Sequence, residues 1–291
     1  MRWCWVLGGV FAASVAGCST EPPISVEKIF LRPTPDVARS PADLGYVFDA
    51  IDVPIAKDRH VSIWHVKAEN PRGIVVIIPG SDQNKSRYLI GLPVFVPSGF
   101  DVILMDYEGF GESSGGPLDL ARLLDDGLAV VDYALARHAN VVAFGVSTGT
   151  PVTAWVAVRR ELKAVMFEAC LILDKEPQLY LEDVLNIEID VLWEIAELYL
   201  TEVVPGGFDI ERHVKRVDEP KLFLHSTEDD VTPFRGGEIV FDAATEPKEF
   251  FEMRGGHGEM IELDFETYSG RINEWLDRQL PAQSVPSPTT P

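Results

Sequence analysis

Cysteine is scarce in this chain of 291 residues, with three in all. Cys4 and Cys18 lie in the first eighteen positions, so Cys170 stands alone in the rest. That count excludes an intrachain disulfide framework and a cysteine-based zinc site. Positive charge is also short: 25 Lys plus Arg face 46 Asp plus Glu, a formal net charge of −21. Such a field repels nucleic acid and anionic membrane surfaces, so nucleic acid is not an expected partner. Long apolar runs are absent too. The longest, Trp3 to Gly17, is about 15 residues, against the ~20 that span a bilayer.

What remains is globular in composition, 46% hydrophobic and 24% charged. Length alone would allow two domains, but single α/β domains of this size are common. Continuous apolar runs read as strands buried on both faces. These are Ile74–Ile78 and Val141–Phe144, and Asp101–Met105, Lys163–Phe167, Lys221–Leu224 and Lys248–Phe251 read as further strands. Tyr46–Val53 and Val61–Lys67 alternate as antiparallel strands, with Asp58 and Arg59 in the turn between. Helical spacing marks Ser86–Val96, Leu118–Arg137, Val152–Arg160, Gly237–Ala244 and Phe265–Leu280, the last with Trp275 and Leu276 on its buried side. Strands alternating with helices imply βαβ units and a mostly parallel sheet.

Between one such strand and helix lies Gly145-Val146-Ser147-Thr148-Gly149. By composition, a chain this long carries G-x-S-x-G by chance about one time in ten. Its position decides the reading. A strand-to-helix turn around a serine pushes Oγ out at the top of a sheet, and the flanking glycines leave room for close backbone. A serine hydroxyl is a poor nucleophile at neutral pH. It needs a base, and the base an orienting acid. Three histidines follow Ser147: His213, His225 and His257. His213 lies in a polar stretch and reads as solvated. His225 ends a strand and reads as packed on the sheet or lining the mouth of a site.

With Asp106-Tyr107-Glu108-Gly109-Phe110-Gly111, followed by Ser113 and Gly115, the chain resembles a serine α/β-hydrolase of the single-domain esterase and acyl-hydrolase branch, over about residues 46–280. The resemblance implies a mostly parallel central sheet flanked by helices, with a short helical cap insertion. It implies chain order Ser, Asp or Glu, His. It places the base at His257, in Gly255-Gly256-His257-Gly258 after the last strand. It places the acid in His225-Ser226-Thr227-Glu228-Asp229-Asp230-Val231-Thr232-Pro233, where the pattern His-Gly-x-x-Asp-x-x-x-Pro selects Asp229, with Glu228 and Asp230 as competitors. Ser226 stands where the family has Gly. It places the oxyanion donors at the backbone N–H groups of Thr148 and Ser81, with Pro79 where the family has His. The implied reaction is acyl transfer to water from a small ester or acyl substrate. It requires neither metal nor organic cofactor.

Residues 171–217 occupy the place where the family inserts caps. Leu181, Leu185, Ile189, Leu192, Ala196 and Tyr199 recur at helical spacing, for packing on the domain or for covering the site. In the second case Leu192, Trp193 and Tyr199 line an apolar acyl or aromatic group. At the N-terminus, Arg2 and the run to Gly17 form a signal-peptide pattern. Val15-Ala16-Gly17-Cys18 resembles a bacterial lipoprotein signal, which implies cleavage before Cys18, acylation there and a membrane-anchored place in the cell envelope. A plain signal peptide and an uncleaved anchor are the alternatives. Residues 18–44 read as a Pro/Ser-rich tether, 45–280 as the hydrolase domain and 281–291 as a disordered tail. Two rival functions share these residues: a small-peptide or amide hydrolase, and a binding lipoprotein that has lost activity.

Overall fold

A computed structural model describes residues 31–81, 84–116, 119–173, 175 and 206–281. The signal peptide, Cys18, the tail from 282 onward and Leu192, Trp193 and Tyr199 lie outside the described residues. Eight strands form one sheet: β1 (Phe48–Ala56), β2 (Arg59–Val66), β3 (Gly73–Ile78), β4 (Phe100–Met105), β5 (Val141–Val146), β6 (Ala164–Glu168), β7 (Lys221–Ser226) and β8 (Lys248–Met253). Their spatial order is β1-β2-β4-β3-β5-β6-β7-β8. β1 and β2 join antiparallel, β2 meets β4 antiparallel, and every later pairing is parallel. The parallel strands β3 to β7 are buried along almost their whole length because both of their faces are covered, whereas β8, at the edge of the sheet, is only partly buried.

Helices cover the two faces. One face carries α2 (Leu120–Leu135), α3 (Gly149–Ala157), α4 (Ile210–Val214) and α5 (Phe234–Ala243). The other carries α1 (Leu92–Phe95), α6 (Met260–Leu263) and α7 (Phe265–Gln279). β3 shows the division: Ile74, Val76 and Ile78 enter the first core, while Val75 and Ile77 enter the second. Trp275 and Leu276 of α7 are buried, as its periodicity requires.

Four expectations need correction. Ser86–Val96 is not one α-helix. Lys85–Gly91 is a 3-10 helix capped by Asn84, whose side chain accepts from Ser86 N–H, and only Leu92–Phe95 continues as α. Arg59 belongs to β2, and Asp58, at φ 62°, makes the hairpin turn. The tether does not run free to residue 44. Leu31 is buried in a core, Thr34 and Asp36 are held by Asn84, and Pro41–Leu44 forms a 3-10 turn. His213 is buried rather than solvated: it packs edge-on against Trp155, with ring centroids 5.3 Å apart, and its Nε2 meets the Gly206 carbonyl.

Two buried acids brace the loop region beside the sheet. Asp106 accepts from the Lys85 backbone N–H at 2.6 Å, the Lys85 ammonium at 2.5 Å and the Glu112 N–H at 3.0 Å. Asp126 on α2 accepts the Glu108 N–H at 2.8 Å through Oδ2, while Oδ1 has no hydrogen-bond partner among the described residues. Burial, with the Glu108 charge adding to it, pushes the Asp126 pKa from 3.8 to about 7. The folded chain therefore holds a proton that the unfolded chain releases from about pH 4, and stability falls as pH rises toward 7. The effect is on the order of 4 kcal/mol. Asp126→Asn is expected to shrink the drop in urea-unfolding free energy between pH 5 and 8.5. An undiminished drop would refute this source.

Candidate active site

The C-terminal ends of the parallel strands bring the site residues to one edge of the sheet. Ser147 follows β5, Asp229 follows β7 and His257 follows β8. Ser147 takes φ 53°, a left-handed conformation that a side-chain-bearing residue holds only under constraint. The constraint is visible. Ser147 N–H donates to the Glu168 carbonyl at 2.9 Å, and the Ser147 carbonyl accepts the Thr150 N–H at 2.8 Å as α3 begins. The flanking glycines are required by crowding. A Cβ on Gly149 would lie 2.1 Å from the Ile78 carbonyl oxygen, and one on Gly145 would lie 2.5 Å from the Gly149 oxygen. Both neighbours are backbone, which cannot step aside as a side chain can.

Asp229, rather than Glu228 or Asp230, meets His257. His257 Nδ1 lies 2.9 Å from Asp229 Oδ2 and 3.1 Å from Oδ1. Asp229 also accepts from the Val231 N–H at 2.9 Å, the Thr232 N–H at 2.8 Å and the Thr232 hydroxyl at 2.9 Å. Burial alone would push its pKa up. The His257 hydrogen bond and charge, the nearby His225 and the Val231 N–H outweigh it, and the pKa is lowered. Asp229 is thus held as a carboxylate, the form that orients an imidazole. Glu228 turns to Arg254 and the Gly255 N–H, and Asp230 is exposed.

Ser226, in the place of a glycine, does more than alter the loop. Its hydroxyl donates to the Gly255 carbonyl and accepts the Glu228 N–H, which ties the Asp229 loop to the His257 loop. His225 is buried. Its Nε2 lies 2.9 Å from the Thr232 carbonyl and its pKa is lowered by burial, so it stays neutral with Nε2–H as donor.

The loop after β3 lies against Ser147. A Cβ on Gly80 would sit 3.4 Å from Ser147 Cβ. The Pro79 carbonyl accepts the Tyr107 hydroxyl at 3.1 Å, and the Gly80 N–H donates to the Tyr88 hydroxyl at 2.6 Å. The Ser81 carbonyl accepts the Arg32 N–H at 2.7 Å. Two tyrosines and the backbone of Arg32 thus grip this loop. Thr148 is buried at the position that precedes α3. Among the described residues, no three His, Cys, Asp or Glu side chains gather where they could hold a metal ion.

Solved structures share this architecture. An esterase of Pyrococcus furiosus superposes with a TM-score of 0.69, covering 86% of this chain and 100% of its own at 14% identity. The fold is that of the α/β-hydrolases. Est1E of Butyrivibrio proteoclasticus, determined with ferulic acid bound, superposes with a TM-score of 0.61, covering 80% of this chain and 100% of its own at 17% identity. The family model described as serine aminopeptidase, S33, matches residues 69–195, a span that holds Ser81, Ser147 and Thr148. Among curated proteins, the lysophosphatidylserine lipase ABHD12 of Xenopus tropicalis is 30% identical over 173 residues, 57% of this chain and 43% of that one. The human alpha/beta hydrolase domain-containing protein 17B is 26% identical over 184 residues, 62% of this chain and 57% of that one. The chain spans about half the length of these curated relatives.

Two of the site's neighbours escaped the sequence reading. Glu168, at the end of β6, is an acid at a strand terminus and carries no motif. Tyr268 on α7 looks like any residue of a buried helical stripe. They meet at 2.5 Å beside the Ser147 turn.

Proposed function

We propose that the chain is a lipid-anchored serine hydrolase that cleaves a carboxylic ester or thioester. One observation carries this reading: a serine held at φ 53° stands on the same sheet edge as a His257–Asp229 pair with its carboxylate buried. In this reading Ser147 Oγ attacks the substrate carbonyl and His257 takes its proton. Asp229 fixes the imidazole with Nδ1–H toward itself and Nε2 toward the serine. The Thr148 and Ser81 N–H groups receive the oxyanion. Tyr88, Tyr107 and Arg32 hold the Ser81 loop in place before the substrate arrives, which is what makes such donors effective. His257 then hands its proton to the leaving group. An acyl-enzyme remains, and water, deprotonated by the same imidazole, releases the acid.

Ester chemistry is favoured by the solved neighbour from Pyrococcus furiosus, which is described as an esterase, and by the relatives described as lipases. Amide chemistry is favoured by the aminopeptidase description of the matching family model. A fluorophosphonate probe tests the common mechanism: the folded chain is expected to be covalently labelled, and an unlabelled folded chain would sink it. Graded p-nitrophenyl esters beside aminopeptide substrates then separate the two chemistries. The anchor rests on Val15-Ala16-Gly17-Cys18 alone. Cys18→Ser is expected to release the protein from membranes on fractionation. Unchanged retention, with no acyl mass on the mature N-terminus, would reject it.

A further inference from the structure

Glu168 touches the site twice. Its backbone carbonyl accepts the Ser147 N–H at 2.9 Å, and it pairs in register with Val146, the residue before the nucleophile. Its carboxyl, in a residue only 4% exposed, accepts the Tyr268 hydroxyl at 2.5 Å. Tyr268 is buried on α7, so one residue connects the nucleophile turn to the C-terminal helix. The next residue, Ala169, takes φ 52°, a second constrained turn beside that of Ser147.

A buried carboxyl is a costly anchor. A glutamine would accept the same hydroxyl without a charge to desolvate. The acid is therefore informative, and its surroundings say why. His257 and Asp229 act on it from the loops after β8 and β7, and Tyr268 from α7. In the strand register its neighbours are apolar, Leu224 from β7 and Val146 from β5. Burial pushes the Glu168 pKa up to about 7. The Tyr268 hydrogen bond and the His257 charge oppose that push, and the Asp229 charge adds to it.

We propose that the Glu168–Tyr268 pair positions the reaction centre: it locks the nucleophile turn to α7 and, by its own charge, sets how firmly His257 holds a proton. The inference rests on the hydrolase reading. Ionised Glu168 adds a second negative charge to that of Asp229 in a medium of low dielectric, and so stabilises the imidazolium that forms as Ser147 attacks. Its proton and that of His257 then leave in coupled steps.

The experiment follows the second-order rate of fluorophosphonate labelling from pH 5 to 9, together with the His257 ring titration by NMR. Glu168→Gln keeps the acceptor for Tyr268 and removes the charge. Its acid limb and its His257 titration are expected to move to lower pH by about half a unit or more, with the plateau down about three- to tenfold. Tyr268→Phe removes a donor that favours the ionised acid and is expected to move both in the same direction. An unshifted limb and an unshifted His257 titration, with only a uniform loss of rate, would mean a structural anchor and overturn the proposal. If Glu168→Gln does not fold, Tyr268→Phe and the wild-type titration decide: a His257 curve with one uncoupled step overturns the proposal. Wild type that does not label means that the hydrolase reading has failed, and this inference with it. Wild type that labels with a profile superimposable on that of Glu168→Gln overturns this inference alone.

Discussion

Replacing Ser147 with alanine is expected to remove fluorophosphonate labelling and to lower turnover by about 10³- to 10⁶-fold. The turn itself should survive. Alanine keeps the Cβ, and the contacts that hold the residue at φ 53° come from its backbone: the N–H to the Glu168 carbonyl, and the carbonyl to the Thr150 N–H. Gly145 and Gly149 are untouched, so the crowded strand-to-helix crossing is unchanged. The variant should unfold within a degree or two of wild type, and loss of activity would then report chemistry rather than folding. The non-additivity is as telling as the size. Once the nucleophile is gone, His257 has no serine to serve. A double variant with His257→Ala should be only marginally slower than either single one. Residual turnover would come from the Ser81 and Thr148 donors and from substrate binding. Ser147→Ala retaining a tenth of wild-type activity would place the chemistry elsewhere.

The parts of this site that were legible in the sequence are those where backbone geometry restricts residue choice. Gly145 and Gly149 could be read because atoms of Ile78 and of the turn itself leave no volume for a Cβ. The central parallel strands β3 and β5 could be read because burial on both faces demands an apolar run. Among three consecutive acids, only Asp229 combines burial with contact to His257, and its spacing to Pro233 is the trace of that arrangement. What could not be read depends on long-range packing. His213 sits among charged residues in the chain, yet Trp155 of α3 covers it. The Ser86–Val96 periodicity suits a helix, yet Asn84 caps a tighter 3-10 turn first. Glu168 gives no local signal, because its meaning comes from Tyr268 a hundred residues later. Ser226 departs from the glycine pattern, and the use of its hydroxyl appears only once Gly255 is brought beside it.

Asp229→Asn is expected to lower kcat by about 10⁴-fold with the fold intact. The direction follows from which oxygen is held by what. Asp229 Oδ1 accepts two backbone donors, the Val231 N–H at 2.9 Å and the Thr232 N–H at 2.8 Å. An asparagine in this place must keep its carbonyl oxygen toward those two fixed donors, since turning its NH2 there would set donor against donor. The amide NH2 then occupies the Oδ2 position, 2.9 Å from His257 Nδ1. His257 can satisfy it only by presenting a bare Nδ1, which puts the ring proton on Nε2 and leaves no base for Ser147. The Thr232 hydroxyl, 3.3 Å from the same Nδ1, can rotate to accept from the new amide but cannot restore the tautomer. The measurement is kcat for Asp229→Asn beside the chemical shifts of the His257 ring nitrogens, which report the tautomer directly. Substantial turnover with the proton still on Nδ1 would show that Asp229 does not set the imidazole. It would leave Glu168, the other buried acid acting on His257, as the residue to replace next.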